Sequence, residues 1–124
     1  ETEELFYQLK GDIEVTVQTD GKALKIPIKE GEMFLLPAKT PHSPVRPENS
    51  IGLVIERVRK GTNYSDGLMW FCDKCNHKLY EERFTLNDIV NDFLEVFRRF
   101  YNSEENRTCE ICNHVMETDP KFTN

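Results

Sequence analysis

The segment Ile13-Glu14-Val15-Thr16-Val17 alternates apolar and polar side chains with period two, which buries one face of a β-strand and wets the other. Thr19-Asp20-Gly21-Lys22 then reverses the chain, because Asp-Gly accepts the positive φ of a tight hairpin turn. Ala23-Leu24-Lys25-Ile26-Pro27-Ile28 alternates on the way back, and Pro27, having no N–H to give to a ladder, puts that strand at an edge or ends it there. Leu5-Phe6-Tyr7 is also strand-like. Met33-Phe34-Leu35-Leu36 and Gly52-Leu53-Val54-Ile55 are short continuous apolar runs, the pattern expected of central strands buried on both faces. Up to about Arg57 the chain therefore predicts an antiparallel sandwich or barrel.

From Thr85 the period changes. Leu86, Ile89, Val90, Phe93, Leu94, Phe97 and Phe100 recur at spacings of three and four, the stripe of an amphipathic helix. Thr85 is the expected N-cap, with Asp88 three residues on, and Arg98 and Arg99 in the last turn complement the helix dipole. The stripe needs a surface to cover, either the barrel wall or a second subunit. The organisation expected is a barrel over 1–68 followed by a helix and metal-binding segment over 69–124.

Composition narrows the function. A chain of 124 residues suits one core with an appendage, and its net charge of −6 without a basic stripe argues against nucleic acid as a partner. No stretch reaches the roughly 18 apolar residues that span a bilayer, and no signal-type apolar region opens the chain, so no membrane partner and a cytoplasmic location are expected. The first residue is Glu1 rather than Met and a strand starts almost at once, from which we expect a fragment or a processed chain.

All four cysteines fall in two copies of one hexapeptide, Cys72-Asp73-Lys74-Cys75-Asn76-His77 and Cys109-Glu110-Ile111-Cys112-Asn113-His114. Each Cys-x-x-Cys turn can aim two sulfurs at one point with backbone N–H groups directed at sulfur, and four thiolates suit zinc or a single iron. Asn76 and Asn113 follow the second Cys of each pair, where positive φ is often needed. His77 and His114 each come after a complete Cys pair, and four sulfurs already close a tetrahedron, so neither imidazole is expected to bind the metal. Disulfides are the alternative, disfavoured by the paired spacing and the absent secretion signal. A closed four-thiolate site points to a structural metal.

A second constellation runs from Gly31 through Pro37 to His42, in the pattern Gly-x5-Pro-x-Lys-x2-His. It resembles the second motif of the cupin superfamily, with Lys39 where that motif has Gly, and Glu4 with Gly11 matches the end of the first cupin motif, Glu-x6-Gly. The implied fold is mainly β, a cupin-type antiparallel β-barrel or jelly roll, with its N-terminal strands missing here. A His and a carboxylate on adjacent strands, joined by one further His, form a facial triad that leaves open positions on ferrous iron.

Longer blocks point to one family. Glu3-Glu4-Leu5-Phe6-Tyr7-Gln8-Leu9-Lys10-Gly11, then Leu35-Leu36-Pro37 through Pro41-His42-Ser43-Pro44-Val45-Arg46, then Leu53-Val54-Ile55-Glu56-Arg57 resemble successive blocks of the 3-hydroxyanthranilate 3,4-dioxygenases, and the cysteine pairs resemble the second metal site of the shorter forms. The resemblance implies Glu4 and His42 as ligands of a catalytic Fe2+, with a third ligand, a His, lying before Glu1. It implies Arg46 as the partner of the substrate carboxylate and Glu56 as a proton acceptor facing the pocket and paired with Arg46. Phe6 and Pro44 would line the aromatic ring. The implied substrates are a small aromatic acid and O2, the implied product is 2-amino-3-carboxymuconate semialdehyde on the route to quinolinate and NAD, and the implied assembly is a homodimer.

Two other readings come from different classes: a non-catalytic cupin that senses a small ligand, its only metal structural, and a rubredoxin-like electron carrier built on the four thiolates.

Overall fold

In the computed structural model, which describes residues 1–123, the alternating segment forms the expected hairpin. Strand β2 (Ile13–Thr19) pairs antiparallel with β3 (Lys22–Ile28), and the Thr19↔Lys22 pair closes a two-residue turn in which Asp20 (φ 50°) and Gly21 (φ 72°) both take left-handed backbone. The remaining strands of the first unit, Glu1–Asn63, are β1 (Glu4–Lys10), β4 (Met33–Leu36), β5 (His42–Val45) and β6 (Ile51–Glu56). They make two three-stranded antiparallel sheets, in the orders β4-β1-β6 and β3-β2-β5. Pro27 lies in an edge strand, as its missing N–H requires.

The two sheets share one core. Phe6 and Leu36 from the first meet Ile13, Val15, Val17 and Ile28 from the second, all buried. Removing a side chain of this size from water contributes roughly 1.5–3 kcal/mol, which makes the cluster the main stabilising feature of the unit.

The apolar runs of β4 and β6 behave differently from expectation. Both are edge strands, with β1 between them, and their outward side chains are open: Met33 is 65% exposed, Leu35 62%, Leu53 50% and Ile55 57%. Continuous hydrophobicity led to the expectation of a central strand, yet only the inward face has a layer against it among the described residues.

The second unit, Tyr64–Asn124, begins with a hairpin that the sequence pattern did not bring out, β7 (Asp66–Phe71) paired with β8 (Lys78–Phe84). Because β7 starts at Asp66, the division expected between residues 68 and 69 would cut this strand. Helix α1 (Ile89–Tyr101) lays Val96 and Phe100 on Trp70 of β7, whose indole stacks on Phe100 at 4.4 Å, with Leu68, Leu79, Tyr80 and Phe97 around them. The stripe thus covers the β7–β8 hairpin of its own unit. Its N-cap is Asp88, not Thr85: Asp88 Oδ1 accepts from the N–H groups of Val90 (2.9 Å) and Asn91 (3.1 Å), and a carboxylate is the stronger acceptor at a helix start. Ile89 and Val90, in the first turn, remain exposed. A short helix α2 (Glu104–Arg107) leads to the second cysteine pair. Among the described residues the chain is mainly β, with antiparallel sheets, two helices and a four-cysteine cluster near its C-terminal end, consistent with a cupin-like β fold. No described helix is long and apolar enough to cross a membrane.

Candidate active site

Glu4 opens β1 in one sheet and His42 opens β5 in the other, and the two side chains meet with His42 Nε2 3.1 Å from Glu4 Oε2. Both are largely buried, 16% exposed for Glu4 and 22% for His42. His42 Nδ1 lies 2.9 Å from the Thr40 carbonyl, which can only accept, so Nδ1 carries the proton and Nε2 is the nitrogen turned towards Glu4. The Phe6 ring meets the imidazole edge-on at 6.2 Å and backs it from the core. Burial opposes a charged imidazole, but the Glu4 carboxylate and the Thr40 carbonyl outweigh it and raise the His42 pKa. The hydrogen bond from His42 in turn holds the Glu4 carboxyl below its ordinary range, against burial.

This geometry fits one metal ion. Oxygen and nitrogen ligands about 2.1 Å from an ion in neighbouring coordination positions stand about 3 Å apart, and an imidazole whose second nitrogen is tied to a carbonyl is oriented for binding.

Other candidate residues surround this pair. Glu56 is the direct cross-strand partner of Glu4, so both point to the same face of the sheet. It is exposed and not buried, and its carboxylate is held by Arg59 Nη2 at 2.8 Å instead of by Arg46. The reason is distance along the strand: Arg46 Nη1 reaches the inner face at Gly52, four residues from Glu56, about 13 Å of extended chain. Arg46 is exposed and makes no ion pair among the described residues. Phe6 is 2% exposed and belongs to the core, whereas Pro44, paired with Val15, is exposed.

The second unit holds the four sulfurs. The first cysteine pair forms the connection between β7 and β8 and the second follows α2, and all four Sγ atoms lie within 4.8 Å of one another. Cys72 and Cys112 are 3.6 Å apart and Cys75 and Cys109 3.5 Å, far from a disulfide bond and close to the about 3.8 Å expected of thiolates around one tetrahedral ion. The two turns are near copies. Cys72 N–H donates to the His77 carbonyl (2.7 Å) and Cys109 N–H to that of His114 (2.8 Å), while Asn76 (φ 61°) and Asn113 (φ 56°) take the left-handed backbone expected of them.

Amides of Cys75 and Lys74 point at Cys72 sulfur and those of Cys112 and Ile111 at Cys109 sulfur. Against the effect of burial they pull the Cys109 thiol down to about 7 and also lower that of Cys72. Cys75 goes the other way, to about 12: the His77 amide favours its thiolate, but burial and the crowding of three further sulfurs prevail. Four sulfurs this close favour a shared cation.

The imidazoles, not expected to be ligands, bind across the repeat. His77 Nε2 lies 3.0 Å from Glu110 Oε1 and His114 Nε2 2.6 Å from Asp73 Oδ1, so each turn's His holds the acid that follows the first Cys of the other. The repeated Cys-acid-x-Cys-Asn-His pattern carried that signal, but which acid faced which His needed the fold.

Residues 1–101 match the family model described as 3-hydroxyanthranilic acid dioxygenase. The chain belongs to that family. Proteins named 3-hydroxyanthranilate 3,4-dioxygenase are similar to it over nearly its whole length. The one from Xanthomonas euvesicatoria pv. vesicatoria is 55% identical over 119 residues, covering 96% of this chain and 67% of the relative. That of Paraburkholderia phytofirmans is 46% identical over 114 residues, covering 91% and 65%, and that of Bacillus thuringiensis 43% over 116 residues, covering 93% and 64%. The chain thus spans about two thirds of the length of these relatives. Membership of the dioxygenase family disfavours the sensing cupin and the electron carrier as readings of the whole chain.

Proposed function

We propose that the chain carries the core of an extradiol-type ring-cleaving site acting on 3-hydroxyanthranilate and O2, yielding 2-amino-3-carboxymuconate semialdehyde. The observation that carries this reading is the Glu4–His42 pair, 3.1 Å apart with its imidazole tautomer set by Thr40, in a chain of the dioxygenase family. Ferrous iron, when bound, supplies neighbouring open positions at which an aminophenol and O2 can be brought together.

This chain's residues do the rest. Glu4 and His42 hold the ion, and Phe6 keeps the imidazole from turning. Arg46 grips the substrate carboxylate with its planar fork and so sets the ring's orientation. Glu56, opposite Glu4, takes the proton of the phenol as the substrate binds. Pro44 borders the ring at the open side of the site.

The test is anaerobic iron loading of the protein extended to include the His expected before Glu1, followed by oxygen consumption with 3-hydroxyanthranilate; a polypeptide beginning at Glu1, with two of the three ligands, is expected to be inactive. One O2 consumed per ring opened is expected. Iron bound without oxygen uptake would move the reading to a ligand-binding cupin.

In the same proposal the four-cysteine site holds structural iron or zinc, which visible absorbance from iron–thiolate bonds distinguishes. The product feeds quinolinate and NAD formation in tryptophan degradation through the kynurenine route. The protein works in the cytoplasm as a homodimer, and light scattering checks the assembly.

A further inference from the structure

Gln8 is the buried polar side chain of the described residues, 1% exposed, and it stands at an interruption of β1. The pairing of β1 with β6 slips between Gln8 and Lys10, leaving Leu9 as a bulge, and Gln8 Nε2 donates to the Lys10 carbonyl at 2.8 Å across it. Bulges bend a strand and re-aim side chains beside them. The Gln8 backbone is engaged as well: its N–H donates to the Glu32 carbonyl (3.0 Å) and its own carbonyl accepts from Gly31 N–H (2.7 Å). The carboxamide is therefore held through Nε2 above an anchored backbone, and its other end, Oε1, points at Gly52, the cross-strand partner of Gln8.

Gly52 matters through what it lacks. A Cβ at this position would lie 2.4 Å from Gln8 Oε1 and 2.8 Å from Arg46 Nη1, closer than real contacts allow. The amide oxygen and the guanidinium thus share one notch on the inner face, and it exists because residue 52 has no side chain.

We propose that Gly52 and Gln8 form the seat of Arg46, as positioning residues that hold its guanidinium on the inner face and thereby select aromatic substrates bearing a carboxylate. This rests on the role given to Arg46 above. A free Arg side chain loses rotamer entropy on binding, and a seat removes part of that loss before the substrate arrives. A carboxamide suits the task because its oxygen is attractive to a guanidinium without neutralising it. A carboxylate there would compete with the substrate for the same fork.

The experiment is an anaerobic titration of the iron-loaded protein, including the His expected before Glu1, with 3-hydroxyanthranilate and with 2-aminophenol, the same ring without its carboxylate. The unaltered chain should prefer 3-hydroxyanthranilate. Gly52→Ala, which displaces the guanidinium, and Gln8→Glu, which pairs with it, should each reduce that preference about tenfold or more, with iron content and 2-aminophenol affinity little changed. Should Gly52→Ala fail to fold, the near-isosteric Gln8→Glu decides alone. Preference retained in the folded variants overturns the seat. An unaltered chain with no preference between the two rings overturns the role of Arg46 itself, and the seat with it.

Discussion

Glu4 Oε2 and His42 Nε2 lie 3.1 Å apart although their strands belong to different sheets and their positions in the chain differ by 38 residues. The contact is set by the packing of the two sheets about Phe6, with the Thr40 carbonyl turning the imidazole. Changing a partner one layer out from a metal commonly costs about 10–100-fold in affinity, so removing a ligand costs at least that. His42→Ala and Glu4→Gln, in the protein that includes the His expected before Glu1, should each lower iron affinity by about tenfold or more and abolish oxygen uptake, as metal analysis and an oxygen electrode would record. Full iron occupancy in His42→Ala would exclude it as a ligand.

The four-sulfur site should respond to paired changes. Cys75 and Cys112 each face a cysteine of the opposite turn, so the double substitution Cys75→Ser, Cys112→Ser leaves two thiolates and should release the metal and lower the melting temperature of the second unit. Retention of one metal per chain in that variant, measured after dialysis against a chelator, would contradict the assignment. Asp73→Asn and Glu110→Gln, which remove exposed pairs, should each cost no more than about 1 kcal/mol, less at high salt.

Lys39, which stands where the cupin motif that this segment resembles has Gly, takes left-handed backbone, with φ 59°. A side chain in the left-handed region costs about 1 kcal/mol, partly offset by the greater freedom of glycine in the unfolded chain. Lys39→Gly should therefore stabilise the first unit by no more than about 0.5 kcal/mol in denaturant titration. A loss of stability would mean that the lysine side chain contributes more than its backbone costs.

Glu82 on β8 accepts a two-pronged contact from Arg99 on α1, Nε to Oε2 at 3.0 Å and Nη2 to Oε1 at 2.5 Å, and a further bond from the Tyr80 hydroxyl at 2.6 Å. Arg99 first, then Tyr80, holds the Glu82 carboxyl below its ordinary 4.5 against the effect of burial. Because the folded-state value is the lower one, the contribution is complete above pH 4.5 and fades as pH falls through the depressed value. The stability difference between the unaltered chain and Glu82→Gln should be about 1 kcal/mol at pH 7 and shrink under acid. An unchanged difference down to pH 2 would contradict the linkage.

Much of this protein is local in origin, and local features were legible. The Asp20-Gly21 turn, the alternation of β2 and β3, the edge position of Pro27 and the left-handed Asn76 and Asn113 all follow from what single residues allow their own backbone. The two cysteine hexapeptides pointed to a cluster that could hold a metal because thiolate pairs at that spacing have few other uses, and the ordered blocks around Glu4, His42 and Arg46 carried the family.

What depended on neighbours in space was decided only by the tertiary structure. An apolar run such as Leu53-Val54-Ile55 reads the same whether one face or both are covered, and hydrophobicity alone could not reveal β6 as an edge. Glu56 found Arg59 rather than Arg46 because strand register, not charge, sets which groups come within reach. The notch at Gly52 was invisible in sequence for the same reason: a missing side chain acquires meaning from Gln8 of β1 and from Arg46, which follows β5, and the fold brings both to it. Residue types along the chain determined the chemistry available to this protein, and sheet packing determined which of those groups meet, since side-chain interactions act over a few ångströms of space and not over positions in sequence.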